Sequence, residues 1–270
     1  MIRTFFTSWG GAFGDTARVF RALPWLIVLM AGIELTQHVI EVWIGFFSPD
    51  AAVRHAAALQ PIRMALGWPK MLMVWSVAFF TMRYLVTQSI GTALRPSRLA
   101  LRRYVWVILF QFVPTALVIY AEPILKVFGL GGAANVMTLR AVGGLSQILL
   151  EPALLLWFVN AALGTTGYGP VRSARVTGWW YFWALALGLV MRVPFSQVHA
   201  RLNMYAAGQP DWVLWPMLVL DALVVPVMVV AVAAVQLRAA RAIAERRGQV
   251  LLEGESSAAR AAVGGAAVPV

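Results

Sequence analysis

Apolar residues run in long stretches broken by short arginine-bearing segments, and strict alternation of apolar and polar positions is absent. Stretches of roughly 18 to 25 apolar residues match the thickness of a bilayer's hydrocarbon core, where a spanning chain must pair every backbone polar group internally. Without period-two alternation a barrel is disfavoured, so the pattern predicts an all-α, polytopic transmembrane helical bundle. Six spans are predicted near 22–46, 69–91, 104–124, 138–163, 178–198 and 212–237. Only the third, Tyr104 to Ala121, is an uninterrupted uncharged run of 18. The others carry ionisable groups, and Glu34, His38 and Glu41 interrupt the first.

Ahead of the first span, Phe6, Trp9, Phe13 and Phe20 recur at near-helical spacing opposite Asp15, Arg18 and Arg21. That pattern predicts an amphipathic helix lying in the headgroup region, and Pro24 suits the first turn of the helix that follows. The expected layout is an interfacial segment at 1–21, a six-helix domain at 22–237 and a basic tail at 238–270. The Ala-, Gly- and Ser-rich end of that tail is expected to be disordered.

Hydrophobic residues make up 61% of the 270 positions and charged residues 12%, too much apolar surface for a soluble fold to bury. The formal charge of +11 is parcelled between the apolar runs, which is how a helical membrane protein carries its topology signal. No zinc-finger spacing or glycine-rich phosphate loop accompanies it, so nucleic acid is not an expected partner. Membrane lipids and other membrane subunits are. With no cysteine, disulfides and thiol redox chemistry are excluded, and no cofactor is expected. Twenty of the 22 basic residues are arginine, and with abundant Ala, Gly and Trp this bias points to a bacterial inner membrane. Residues 1–33 do not read as a signal peptide, because some twenty residues precede the apolar run.

Thirteen basic residues fall at the first end, after spans two and four, and in the tail, against six on the opposite side. This asymmetry predicts that both termini face the cytoplasm. Each odd-numbered span is also preceded by an arginine with an aromatic cluster further on: Arg18 to Trp25, Arg98 to Tyr104 and Trp106, Arg172 to Trp179 and Trp180. Three similar hairpins would produce such a pattern. So would the general enrichment of Arg and Trp at membrane interfaces.

The segment VRSARVTGWWYFWALALGLV at 171–190, with the amphipathic segments ahead of spans one and three, resembles bacterial inner-membrane proteins of the YciC type. It is similar as well to the membrane domain joined to some glycerophosphoryl diester phosphodiesterases. The resemblance implies a six-helix membrane fold and carries over no catalytic residue, since nothing like the soluble phosphodiesterase domain is present.

Charges within a span are costly, so each needs a partner, a watery cavity or a task. Glu34, Gln37, His38 and Glu41, at i, i+3, i+4 and i+7, form one polar stripe on the first span. Such a stripe could relay protons, bind a metal with His55 and His199, or serve as a structural seam. By depth, Arg192 is expected to pair with Asp221, and Arg83 with Glu151. Pro114, Pro152, Pro194 and Pro226 fall inside spans, where kinks line transporter sites and also occur in inert bundles. No nucleotide motif or Ser/His/Asp constellation appears, so a non-enzymatic, auxiliary or lipid-linked role is expected. The alternative is a secondary transporter or channel for a small solute or proton, using Glu34, His38 and Glu41.

Overall fold

The computed structural model describes residues 1–249 and 251. The disorder expected at the end of the chain lies outside the described residues. Those residues form eleven helices and no strand. Six are long and apolar enough to cross a membrane: α2 (Pro24–Trp43), α4 (Pro61–Thr87), α6 (Arg98–Ile119), α8 (Ala133–Leu163), α10 (Trp180–Ala206) and α11 (Asp211–Arg246). Between and before them lie α1 (Ile2–Ala22), α3 (Ala51–Ala58), α5 (Ile90–Leu94), α7 (Ala121–Val127) and α9 (Pro170–Thr177). One of the other helices, α1, α5 or α9, thus precedes each of three pairs of candidate spans.

Local signals set the ends. Pro24, Pro61 and Pro170 open α2, α4 and α9, where a missing N–H costs nothing. Ser89 and Ser97 cap α5 and α6 by accepting from the backbone N–H of Thr92 and Ala100. Gly164 ends α8 in the left-handed region, and a Cβ there would stand 2.9 Å from the backbone nitrogen of Ala100. Only glycine satisfies both the backbone angle and that approach.

α4, α8, α10 and α11 overrun the predicted spans, whereas α2 falls inside its own and α6 stops at Ile119, before the expected 124. α4 begins eight residues before the expected start at 69, and α10 ends eight after the expected end at 198. Hydropathy marks the hydrocarbon-matching stretch, whereas backbone hydrogen bonding continues past it. Past 237 the chain stays helical, for α11 continues to Arg246 with Ala239, Ala240, Ala242, Ile243 and Ala244 buried.

α11 is the central helix, with 61% of its most apolar stretch buried against 22–44% in the other five. It touches α1, α2, α4, α8 and α10. Its run of buried alanines from Ala231 to Ala244 lets neighbouring backbones approach closely. Elsewhere, large apolar side chains such as Val28, Leu72, Val113, Leu145 and Leu223 face outward, as a surface solvated by lipid requires. The fold is that of a multi-pass membrane protein.

α1 is held against α11 through a buried carboxylate, Asp15. Arg238 Nε lies 2.5 Å from Asp15 Oδ2, its Nη2 lies 3.0 Å from Oδ1, and Arg18 also donates to Asp15. Burial works against the Asp15 carboxylate, but these guanidinium hydrogen bonds outweigh it and hold the group below its ordinary value.

Candidate functional site

The stripe on α2 turns inward toward α4, α10 and α11. Glu34, His38 and Glu41 are all but fully buried, as is Asp221 on α11. His38 is the hub: Nδ1 lies 3.0 Å from Glu41 Oε2 and Nε2 lies 2.9 Å from Asp221 Oδ2, with Glu34 Oε1 at 3.7 Å. Ionised carboxylates only accept hydrogen bonds, so the ring satisfies both short contacts as an imidazolium.

The outer partners complete the charge balance. Lys70 Nζ lies 2.6 Å from Glu34 Oε1 and Arg63 Nε lies 2.8 Å from Glu41 Oε1. Gln37 donates to Glu41 Oε1 at 2.8 Å. His199 Nδ1 is 2.7 Å from Asp221 Oδ1, and Asn203 donates to Oδ2 at 2.7 Å. With His38 charged, the carboxylates of Glu34, Glu41 and Asp221 face the cations of Lys70, Arg63 and His38, and His199 is a further partner of Asp221. A paired, hydrogen-bonded cluster is the form in which buried charges are tolerated. Two atoms of the network, Glu34 Oε2 and Gln37 Oε1, are buried without a hydrogen-bond partner among the described residues.

Two expected pairings are corrected. Arg192 does not meet Asp221; its Nη2 lies 2.6 Å from Glu151 Oε2, to which Gln236 also donates at 3.3 Å. The expectation measured depth from a helix end at 198, but α10 continues to Ala206, so Arg192 lies deeper and His199 takes the level of Asp221. Arg83 does not meet Glu151 either. It lies four residues from the end of α4 and donates to the carbonyls of Ala93 (2.9 Å), Ala162 (3.0 Å) and Thr92 (2.9 Å). The last carbonyls of a helix lack partners within it, and the guanidinium fork satisfies those of α5 and α8 together.

Lys70, Arg63, His199, Asn203 and Gln236 are the partners that the sequence reading did not assign. Lys70 and Arg63 counted there as border charges, because the long N-terminal extension of α4 was not foreseen. The spacing of His199 and Asn203, one helical turn apart on α10, was the available signal.

A cavity of about 420 Å³ lies between α4, α6, α8, α10 and α11. Its walls are mostly apolar, formed by side chains such as Val74, Met82, Phe158 and Val229, and its polar lining includes Lys70, Glu151, Arg192, His199 and Gln236. Lys70 and His199 therefore belong both to the cavity wall and to the ion network. A second hollow of about 480 Å³ is lined by Gln37, Arg63 and Lys70.

Glu34, Asp221 and His199 each bring one ligand atom within 4.8 Å of the others, a donor set able to hold a divalent cation. Lys70 and His38 already supply positive charge to the first two. His55, the third histidine, stands apart at 4.0 Å from Glu122. No protein-family model, curated protein or solved structure matches the chain. The site is therefore read from its own geometry.

Proposed function

We propose that this chain is a non-enzymatic inner-membrane protein with an auxiliary, lipid-linked role, and that its central cavity holds an amphipathic ligand. One observation carries the reading: an apolar chamber between spanning helices with a few convergent polar groups, Lys70, His199 and Arg192 among them. Such a chamber suits a molecule with a hydrocarbon body and a polar head. A cytoplasmic placement of both termini belongs to the same proposal, supported by the arginine distribution. A bacterial inner membrane and kinship with the YciC type belong to it too, on the composition and the segment at 171–190.

The test is native mass spectrometry with lipid extraction on the purified protein. A defined amphipathic adduct is the expected result, and Val232→Trp, which fills the cavity without touching the ion network, should remove it. A bare protein, or an adduct indifferent to Val232→Trp, would overturn the reading.

A second reading, a secondary transporter or channel for a proton or small solute, is favoured by one specific feature. His199, Asp221, His38 and Glu41 form an unbroken chain of hydrogen-bonding contacts leading from the cavity toward the hollow lined by Gln37 and Arg63. Proteoliposome flux that collapses in His38→Gln is its signature. Flux equal to that of protein-free vesicles removes it.

A further inference from the structure

Away from the cavity, the start of α6 faces the loop between α8 and α9 across a groove of about 780 Å³. Leu99, Arg102, Trp106 and Leu109 lie three to four residues apart and so share one face of α6. From Arg102 to Leu109 polarity along that face grades from guanidinium to indole to aliphatic side chain. Arg102 and Arg103 immediately precede the uncharged run from Tyr104, which sets the groove at a membrane–water interface. Both line the groove, and among the described residues no acidic one does.

The facing wall includes Tyr168, which is 2% exposed. Its backbone N–H is taken by Asn160 Oδ1 at 3.0 Å, but its phenol hydroxyl has no hydrogen-bond partner among the described residues. A buried hydroxyl left unpaired has given up its water without compensation. Arg172 adds positive charge nearby, its guanidinium carbon 5.1 Å from the centre of the Tyr168 ring. Arg103 is already engaged with the Thr165 carbonyl, which leaves Arg102 as the exposed cation of the groove.

We propose that this groove is a binding site for one anionic phospholipid. Its phosphate would be held by Arg102 with the Tyr168 hydroxyl, and an acyl chain would lie along Trp106 and Leu109. From Arg102 onward the groups on the α6 face, cationic, then aromatic, then aliphatic, follow the order of a lipid from phosphate to hydrocarbon. A basic groove at the membrane surface selects negative headgroups. The site is independent of the central cavity, and its occupant does not depend on what the cavity holds.

The test is native mass spectrometry of delipidated, full-length protein titrated with phosphatidylglycerol, phosphatidylcholine or inorganic phosphate. Phosphatidylglycerol should form a one-to-one adduct at concentrations where the other two do not. Arg102→Gln should weaken it about fivefold, the effect of one interfacial arginine. Tyr168→Phe, which keeps the ring and its packing, should weaken it as well, while Arg201→Gln and Val232→Trp leave it unchanged. Equal binding of phosphatidylcholine, saturation by inorganic phosphate alone, or retention unaffected by both Arg102→Gln and Tyr168→Phe would overturn the proposal.

Discussion

His38 on α2 and Asp221 on α11 stand 183 residues apart in sequence and meet through Nε2 and Oδ2 at 2.9 Å. Their contact ties the first span to the central helix. The same carboxylate holds His199 and Asn203 of α10, so one aspartate links three spanning helices.

Asp221→Asn should therefore be strongly destabilising. It leaves a buried imidazole without one of its two anionic partners, a loss of the size that breaking a buried pair entails, about 3–5 kcal/mol. Thermal unfolding in detergent, followed by the loss of the monodisperse peak in size-exclusion chromatography, measures it. His38→Ala should show a drop of similar direction. If both variants melt with the parent, the network is not what joins α2 to α11.

Arg83→Lys tests the carbonyl clamp. An ammonium cannot span the carbonyls of Thr92, Ala93 and Ala162, which the guanidinium fork reaches together. Loss of two such contacts should lower stability by about 2 kcal/mol. Hydrogen exchange should rise first in α5 and at the end of α8. Protection unchanged in both segments would show that the arginine serves another purpose.

Gly143→Val examines the seam between α6 and α8. A Cβ at Gly143 would lie 3.0 Å from the Pro114 carbonyl oxygen and 3.2 Å from the Leu117 Cβ, so the helices must part to admit a branched side chain. Overpacking of this kind costs about 1–3 kcal/mol. The predicted readout is a lower melting temperature than that of Gly144→Val, since nothing lies within 4 Å of a Cβ at Gly144. Equal melting of the two variants would refute the close approach.

The Asp15 link gives α1 a pH dependence of fixed sign. Because its folded-state value is lowered, the link contributes full stability above the ordinary value of 3.8 and loses it as pH falls through the lower, folded value. Hydrogen-exchange protection in α1, corrected for the intrinsic rate at each pH, should thus stay flat above that ordinary value and fall below it. Asp15→Asn should lower protection at neutral pH and abolish the acid dependence. An acid loss of protection that persists in Asp15→Asn would assign it to another group.

Much of this architecture is legible along the chain. Six long helices and the N-terminal amphipathic helix follow from apolar runs and from the aromatic spacing of Phe6, Trp9 and Phe13, because hydropathy and helical period are local properties. The grouping of Glu34, His38 and Glu41 on one inward face was equally readable, since residues one turn apart must share a face and buried charge must avoid lipid.

The partners were not readable. Matching depths paired Arg192 with Asp221 and Arg83 with Glu151, yet depth depends on where each helix ends, and contact also depends on how each helix is rotated about its axis. The eight extra residues at the end of α10 moved His199 to the level of Asp221 and left Arg192 to Glu151. The early start of α4 carried Lys70 and Arg63 from the margin into the ion network. By itself the sequence determined a six-span helical membrane protein and the residues that must turn away from lipid, because the bilayer acts on each segment separately. Only the tertiary structure decided which charges neutralise one another and where a cavity opens, because those depend on the rotation and end points of helices that meet far apart in the chain.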